Sequence, residues 1–263
     1  MASCKTILSE NREYWTGRAS GYSEINQEEL RSSQRAVWGR ELKTHIERQF
    51  PDRAPASIRV LEVGTGPGFF AILLCELGYD VTAIDLTPAM LEEAKKNAGA
   101  LADHIAFLEM NAESLAFPEH SFDVLLSRNL TWNLPHPEVA YREWNRVLKP
   151  GGLLLNFDAN WYHYLYDQDA RAGYDADRTA SSELGIEDQN VGSNFEVMEQ
   201  IAMRIPLSNT MRPAWDHSVL SGLGMEVSTD PQAWDRVWSQ KEKINFASTP
   251  MFLVRAVCAG GAL

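Results

Sequence analysis

Nine residues, Leu61 to Phe69 (LEVGTGPGF), concentrate the chemistry that this chain can do. The apolar run Ile58, Val60, Leu61 and Val63 ends in three glycines, Gly64, Gly66 and Gly68, and a second mostly apolar run, Phe69 to Leu77, follows at once. Strand, tight glycine turn, helix is an order that brings a ligand against bare backbone beside a helix N-terminus. A further apolar run, Val81 to Ile84, ends in Asp85, about twenty residues after the first glycine, the distance at which a carboxylate grips a ribose hydroxyl. Together these residues describe a nucleotide site.

Two nucleotide cofactors use such a layout. The dinucleotide pattern G-x-G-x-x-G requires its third glycine, for close helix–strand packing, where this chain has Phe69. Glu62 stands two residues ahead of Gly64, in the mouth of the loop. A carboxylate there repels a pyrophosphate and attracts the ammonium of a methionine moiety. Glu62 therefore favours S-adenosylmethionine, which carries a sulfonium and no phosphate, over a nicotinamide dinucleotide.

The segment resembles motif I of the class I S-adenosylmethionine-dependent methyltransferases, E/D-x-G-x-G-x-G. Further signposts of that family follow in order: Asp85 to Leu91 (DLTPAML), Asn111-Ala112-Glu113, Ser121 to Ser127 (SFDVLLS), and Arg146 to Gly152 (RVLKPGG). The resemblance covers residues 55 to 160 firmly and the rest loosely. It implies a Rossmann-like, mostly parallel seven-stranded α/β sheet with helices on both faces, and a product S-adenosylhomocysteine. By the same resemblance Glu62, Gly64, Thr65 and Gly66 meet the amino-acid end of the cofactor, and Asp85 takes both ribose hydroxyls. Leu86 and Met90 pack on the adenine face, Asn111 and Ala112 meet its edge, and Glu113 belongs to the same cofactor-binding set. Arg128 reaches the methionine carboxylate or the cap, and the backbone at Asn129 takes the ammonium. Asn111 departs from the commoner aspartate, although an amide can still accept from the adenine amino group and donate to a ring nitrogen.

Alternating apolar runs place strands at 58–63, 80–84, 105–109, 122–127 and 152–158, with helices at 67–77, 88–99 and 137–147 between them. The rhythm resumes at Pro213, with a helix to Leu223 and strands at 225–229 and 250–257. Leu30, Val37, Leu42, Ile46 and Phe50 recur at helical spacing, which predicts one helix over 28–50. The expected organisation is an N-terminal helical cap segment (1–54), a cofactor domain (55–158 and 213–263) and an inserted substrate cap (159–212).

The insertion opens at the carboxyl end of the fifth strand, where open α/β sheets bind ligands. Its first residues include Trp161, Tyr162, His163, Tyr164 and Tyr166, and from Tyr166 to Gln200 it carries nine acids against Arg171 and Arg178. With Tyr14, Trp15 and Tyr22 of the N-terminal segment and Trp132 after the fourth strand, these aromatics form the expected acceptor pocket, suited to a planar or cationic small molecule. Methyl transfer is an in-line displacement at an activated carbon, so positioning dominates. If a general base is needed, His163, the one histidine of the insertion, is the candidate; the competing reading is a hydrogen-bonded packing residue.

Composition excludes several classes. A net charge of −12 disfavours a phosphate-backbone partner, so no nucleic-acid substrate is expected. No apolar run approaches the twenty or so residues that span a bilayer, and the first twenty residues hold no apolar signal segment, which favours a cytoplasmic protein without a membrane partner. Cys4, Cys75 and Cys258 lack metal-ligand spacing, the histidines are isolated, and the Asp167/Asp169 and Asp175/Asp177 pairs lack the glycine and closing glutamate of a calcium loop; no metal is expected. The reading is a small-molecule methyltransferase, with a cofactor-binding sensor that has lost catalysis as the alternative. Whether oxygen, nitrogen, carbon or sulfur is methylated, and the oligomeric state, stay open at this level.

Overall fold

The computed structural model describes residues 6–186 and 194–259. Two helices lead, α1 (Ile7–Arg31) and α2 (Gln34–Gln49). An alternating series follows: β1 (Arg59–Val63), α3 (Phe69–Glu76), β2 (Asp80–Asp85), α4 (Pro88–Ala98), β3 (Ile105–Glu109), β4 (Phe122–Arg128), α5 (Pro137–Val147) and β5 (Leu148–Asp158). The insertion contributes α6 (Gln168–Glu183) and α7 (Phe195–Ala202). The chain ends with α8 (Ala214–Gly222), β6 (Met225–Asp230), α9 (Ala233–Val237), α10 (Gln240–Asn245) and β7 (Phe252–Cys258).

The seven strands form one sheet in the order β3-β2-β1-β4-β5-β7-β6. β1 to β5 run parallel, and β7 lies antiparallel between β5 and β6. This is the Rossmann-like α/β architecture that the family resemblance implies, and its parallel strands are what the alternation predicts. Parallel strands covered on both faces read as continuous apolar runs, and β4 is buried from Phe122 to Ser127. Successive side chains point to opposite faces. Val60, Val124 and Leu126 therefore join α2 and α3 in one core layer, with Trp38, Leu42 and Phe70, while Leu61, Val63 and Leu125 join α5 and α8 in the other, with Tyr141, Trp144 and Leu220. Glu62 shares the face of Val60. A carboxylate in a buried strand position that should be apolar marks chemistry rather than packing.

Two expectations change. The helix expected over 28–50 is broken at Ser32, whose extended backbone (φ −98°, ψ −177°) ends α1 before α2 begins. α1 escaped the periodicity search because its buried side chains are mostly polar, Asn11, Ser23, Asn26 and Glu29 beside Ala19. α2, in contrast, buries Trp38, Leu42 and Ile46 in the sheet core, so residues 34–49 belong to the sheet's helical layer and α1 covers the strand ends. The helix expected from 67 starts at Phe69, because Gly68 before it is left-handed (φ 93°).

Candidate active site

The carboxyl ends of β1, β2, β3 and β4 meet where the strand order reverses, and two adjoining cavities open there. The first lies on the glycine loop. Gly64 has φ +74°, and a Cβ at that position would stand 2.8 Å from Leu130 Cδ2, so the loop tolerates no side chain there. The loop is tied to β2: Gly66 N donates to Asp85 Oδ2 (2.9 Å), while Thr87 N donates to Asp85 Oδ1 (2.8 Å). Each Asp85 oxygen keeps acceptor capacity for a further donor. Burial raises the Asp85 pKa, and the two backbone N–H groups pull against it.

Glu62 is buried on the floor of this cavity and accepts from Thr65 Oγ1 (2.7 Å). Desolvation pushes its pKa up to about 8, against the Thr65 hydrogen bond, so burial favours the protonated carboxyl group when nothing is bound. Leu86, Met90, Asn111 and Ala112 line the opposite wall. Asn111 Oδ1 is used locally, accepting from Glu113 N (3.0 Å). Glu113 itself does not line the cavity. Its Oε1 accepts from His136 N (2.6 Å) ahead of α5, a buttress where a cofactor contact is expected from the resemblance.

At the end of β4, Arg128 and Asn129 border both cavities. Asn129 is left-handed (φ 56°), which turns the chain sharply out of the strand. The Arg128 guanidinium lies over Trp38, Phe69 and Phe70 at 4.8–5.6 Å from the ring centroids, and its Nη2 pairs with Glu29 of α1 (2.7 Å) and faces Glu242 of α10 (3.9 Å). Burial alone would lower the Arg128 pKa; Glu29 and its neighbours hold it above the usual value. Both of these partners, on α1 and α10, lie outside the 159–212 insertion.

The second cavity has a volume of about 640 Å³, within the range of small-molecule sites. Tyr14, Trp15, Tyr22, Trp132, Trp161, Tyr162 and Tyr164 line it. The ring of Tyr22 also covers the glycine loop, 3.6 Å from where a Gly66 Cβ would stand. Trp132 stacks on Tyr162 (4.9 Å, 29°) and Tyr164 on Tyr174 (4.2 Å, 20°). Two expected members stand elsewhere. Tyr166 is exposed and donates to Met203 O (2.6 Å), fastening the cap to itself. His163 lines neither cavity; its Nδ1 lies 3.3 Å from Ser208 O, the packing role, and a general base must touch the reacting atoms.

Sequence reasoning missed several participants. Tyr174 and Phe195 extend the ring wall from α6 and α7, and α10 closes the far side, so the acceptor side reaches beyond the 159–212 insertion. A buried polar network behind the site was also missed. Arg212 bridges Asp158 and Asp216, all three fully buried. Tyr141 donates to Asp216 and accepts from Asn156 Nδ2 (2.8 Å), and Asp158 Oδ2 accepts from Trp132 N (2.9 Å). The i, i+4 pair Arg212/Asp216 was its one legible signal. Among the described residues no group of three or more His, Cys, Asp or Glu could hold a metal ion, and no helix is long and apolar enough to cross a membrane. Asp167 caps α6 and Asp177 accepts from Ser248 N (2.9 Å). Glu187 and Asp188, counted among the cap acids, lie outside the described residues, as does Cys4.

Residues 61–156 match the family model of the methyltransferase domain. Over that segment the chain is a methyltransferase domain of the class I S-adenosylmethionine-dependent type. It is 36% identical over 119 residues to the ubiquinone/menaquinone biosynthesis C-methyltransferase UbiE of Bartonella tribocorum, covering 41% of this chain and 46% of that protein. It is 34% identical over 102 residues to a ubiquinone biosynthesis O-methyltransferase of Xanthomonas axonopodis pv. citri, covering 38% and 43%. The match thus spans less than half the length of these relatives. A putative S-adenosyl-L-methionine-dependent methyltransferase from Methanococcus maripaludis shares the fold at 16% identity, with a TM-score of 0.55 over 100% of this chain and 99% of that one. The matched residues of the methyltransferase domain hold β1 to β5 up to Asn156, and hence the first cavity's strand ends; α1, α6, α7 and α10 fall outside them.

Proposed function

We propose that this protein transfers the methyl group of S-adenosylmethionine to a small molecule held in the second cavity. The observation that carries the reading is the meeting of the two cavities at Trp15, Tyr22, Arg128 and Asn129. The residues of the first cavity fit the cofactor. Glu62 offers a buried carboxylate to its ammonium, Asp85 offers free acceptor positions to its ribose, and Leu86, Met90 and Ala112 offer an apolar slot to its adenine. Bound there, S-adenosylmethionine supplies an electrophilic methyl group on a sulfonium.

The protein's part is positional. The Tyr22 ring shields the glycine loop from water, the ion pair of Arg128 with Glu29 holds α1 across the strand ends, and the ring wall orients the acceptor. Holding the two reactants in line removes the entropy of their encounter, which contributes up to about 7–11 kcal/mol in well-oriented systems. The cofactor-binding sensor is the weaker reading, because it requires no acceptor cavity and one is formed. Titration with S-adenosylhomocysteine, with NAD as the control, tests the cofactor: at a hundredfold excess over the dissociation constant the protein gains about 2.7 kcal/mol of stability. Turnover of labelled S-adenosylmethionine against a panel of metabolites tests the transfer. Stabilisation by NAD and not by S-adenosylhomocysteine would overturn the assignment.

A further inference from the structure

Four side chains border both cavities, Trp15, Tyr22, Arg128 and Asn129, and a methyl group leaving the first cavity for the second passes between them. None of the four accepts a proton at neutral pH. Indole and amide have no basic site there, and Arg128 is a fixed cation. The Tyr22 hydroxyl keeps its proton because burial raises its pKa. Glu29, next to Arg128, is engaged in the ion pair (2.7 Å). No histidine or cysteine among the described residues lines either cavity. None of the side chains shared by the two cavities can receive the proton that an acceptor hydroxyl would have to shed at this aperture.

The wall facing the aperture adds two independent constraints. Trp132, Tyr162, Tyr164, Tyr174 and Phe195 form a run of rings, with Tyr174 and Phe195 inclined by only 9°. Such a wall selects a flat ligand. Around the cavity five carboxylates stand against three basic side chains, so an anionic acceptor is repelled and a positive charge is favoured.

We propose that the methyl acceptor is a planar nitrogen heterocycle whose neutral ring nitrogen becomes a quaternary ring cation. The proposal rests on the methyltransferase reading and names the acceptor class of that same site. The ring nitrogen's lone pair forms the new N–C bond as the C–S bond breaks, and the bonding pair returns to sulfur. The positive charge moves from the sulfonium to the ring, a neutral thioether remains, and no proton is released. The transfer needs no base, which matches the aperture, and it ends in a cation beside aromatic faces and surplus carboxylates.

The test uses the full chain saturated with S-adenosylhomocysteine and three two-ring probes titrated by calorimetry: N-methylisoquinolinium, 2-naphthol and 2-naphthoate. N-Methylisoquinolinium should bind about tenfold tighter than 2-naphthoate or better. Tyr174→Leu should weaken it by about fivefold while the affinity for S-adenosylhomocysteine stays within about twofold, showing a folded protein. With S-adenosylmethionine, isoquinoline should be methylated in preference to 2-naphthol. Equal or tighter binding of 2-naphthoate, preferential methylation of 2-naphthol, or no binding of any ring probe overturns the proposal. Failure of the wild-type protein to bind S-adenosylhomocysteine would instead remove the methyltransferase reading beneath it.

Discussion

The two cavities are neighbours built by opposite means. The first is made largely of strand ends and the backbone of one glycine loop, with its polar groups supplied by Glu62 within β1, Asp85 at the end of β2 and Asn111 just after β3. The second is made of side chains from α1, α6, α7, α10 and the loop after β4, segments that lie far apart in the chain, from Tyr14 to Asn245, and cover the sheet from outside. Backbone geometry repeats wherever the same turn recurs, whereas a wall of helical side chains can be rebuilt without disturbing the sheet. The family match ends at residue 156, close to where construction passes from strand ends to inserted helices. Arg128 and Asn129 belong to both constructions and are the seam between them.

The sharpest way to break that comparison is at the buried network linking the two. Arg212→Ala leaves Asp158 and Asp216 without their counter-charge in a fully buried site. Removing one partner of such a pair destabilises by about 3–5 kcal/mol, measurable by urea denaturation. Because Asp158 also fixes Trp132 N, and the Asn160 side chain exchanges two hydrogen bonds with the Arg212 backbone, the acceptor side should loosen first. A loss below about 1 kcal/mol would mean that the network is not what ties the cap to β5.

Within the first cavity, Asp85→Ala should have the next largest effect. It removes the charge-assisted bonds expected to the ribose, each worth about 1.5–3 kcal/mol, and frees Gly66 N and Thr87 N from the carboxylate. The affinity for S-adenosylhomocysteine should fall by about a hundredfold, or ~2.8 kcal/mol, with methionine affected less. Normal binding would reduce Asp85 to a brace between two loops.

This asymmetry explains what could be read from the residues alone. Strand positions were legible to within a residue or two for most of the sheet because runs such as Val124 to Leu126 and Leu153 to Leu155 are apolar on both faces. Glu62, the glycines and Asp85 were legible because their spacing is local. α1 was not, since it buries Asn11, Ser23, Asn26 and Glu29 and shows no apolar stripe. Tyr174 and Phe195 were missed because only tertiary packing brings α6 and α7 beside Trp132. For His163 the residues alone left a general base and a packing role both open, because its aromatic neighbours point to a pocket, while its own ring turns to Ser208.

A pH titration sharpens the comparison further, because a buried acid with a raised pKa belongs to the first cavity. Glu62 holds its proton up to about pH 8 in the folded protein, chiefly through desolvation. An unfolded glutamic acid loses it near about pH 4.3, so this group's contribution to stability is fully present below that value and is lost as pH rises through the folded pKa. Cofactor affinity should run the other way. Binding an ammonium requires the carboxylate, so below pH 8 one proton is released on binding and the affinity rises by up to about tenfold per pH unit before levelling off. Calorimetry in buffers of different ionisation enthalpy measures the released proton directly, and Glu62→Gln should abolish both the release and the slope. A flat affinity between pH 6 and 8 would show that Glu62 does not meet a cation.

The smallest expected effect separates a residue near the acceptor cavity from one inside it. His163→Ala removes a hydrogen bond to Ser208 O (3.3 Å) at the junction of the cap with the segment before α8. An exchange of this kind changes stability by about 0.5–1.5 kcal/mol. The imidazole lines neither cavity, so it cannot receive a proton from an acceptor held there. Once an acceptor is found, kcat for the variant should stay within about threefold of wild type, and its pH–rate profile should keep its shape. A general base contributes about a hundredfold or more, so the two outcomes are well separated. A fall of that size would return His163 to the chemistry and require the cap to rearrange when the acceptor binds.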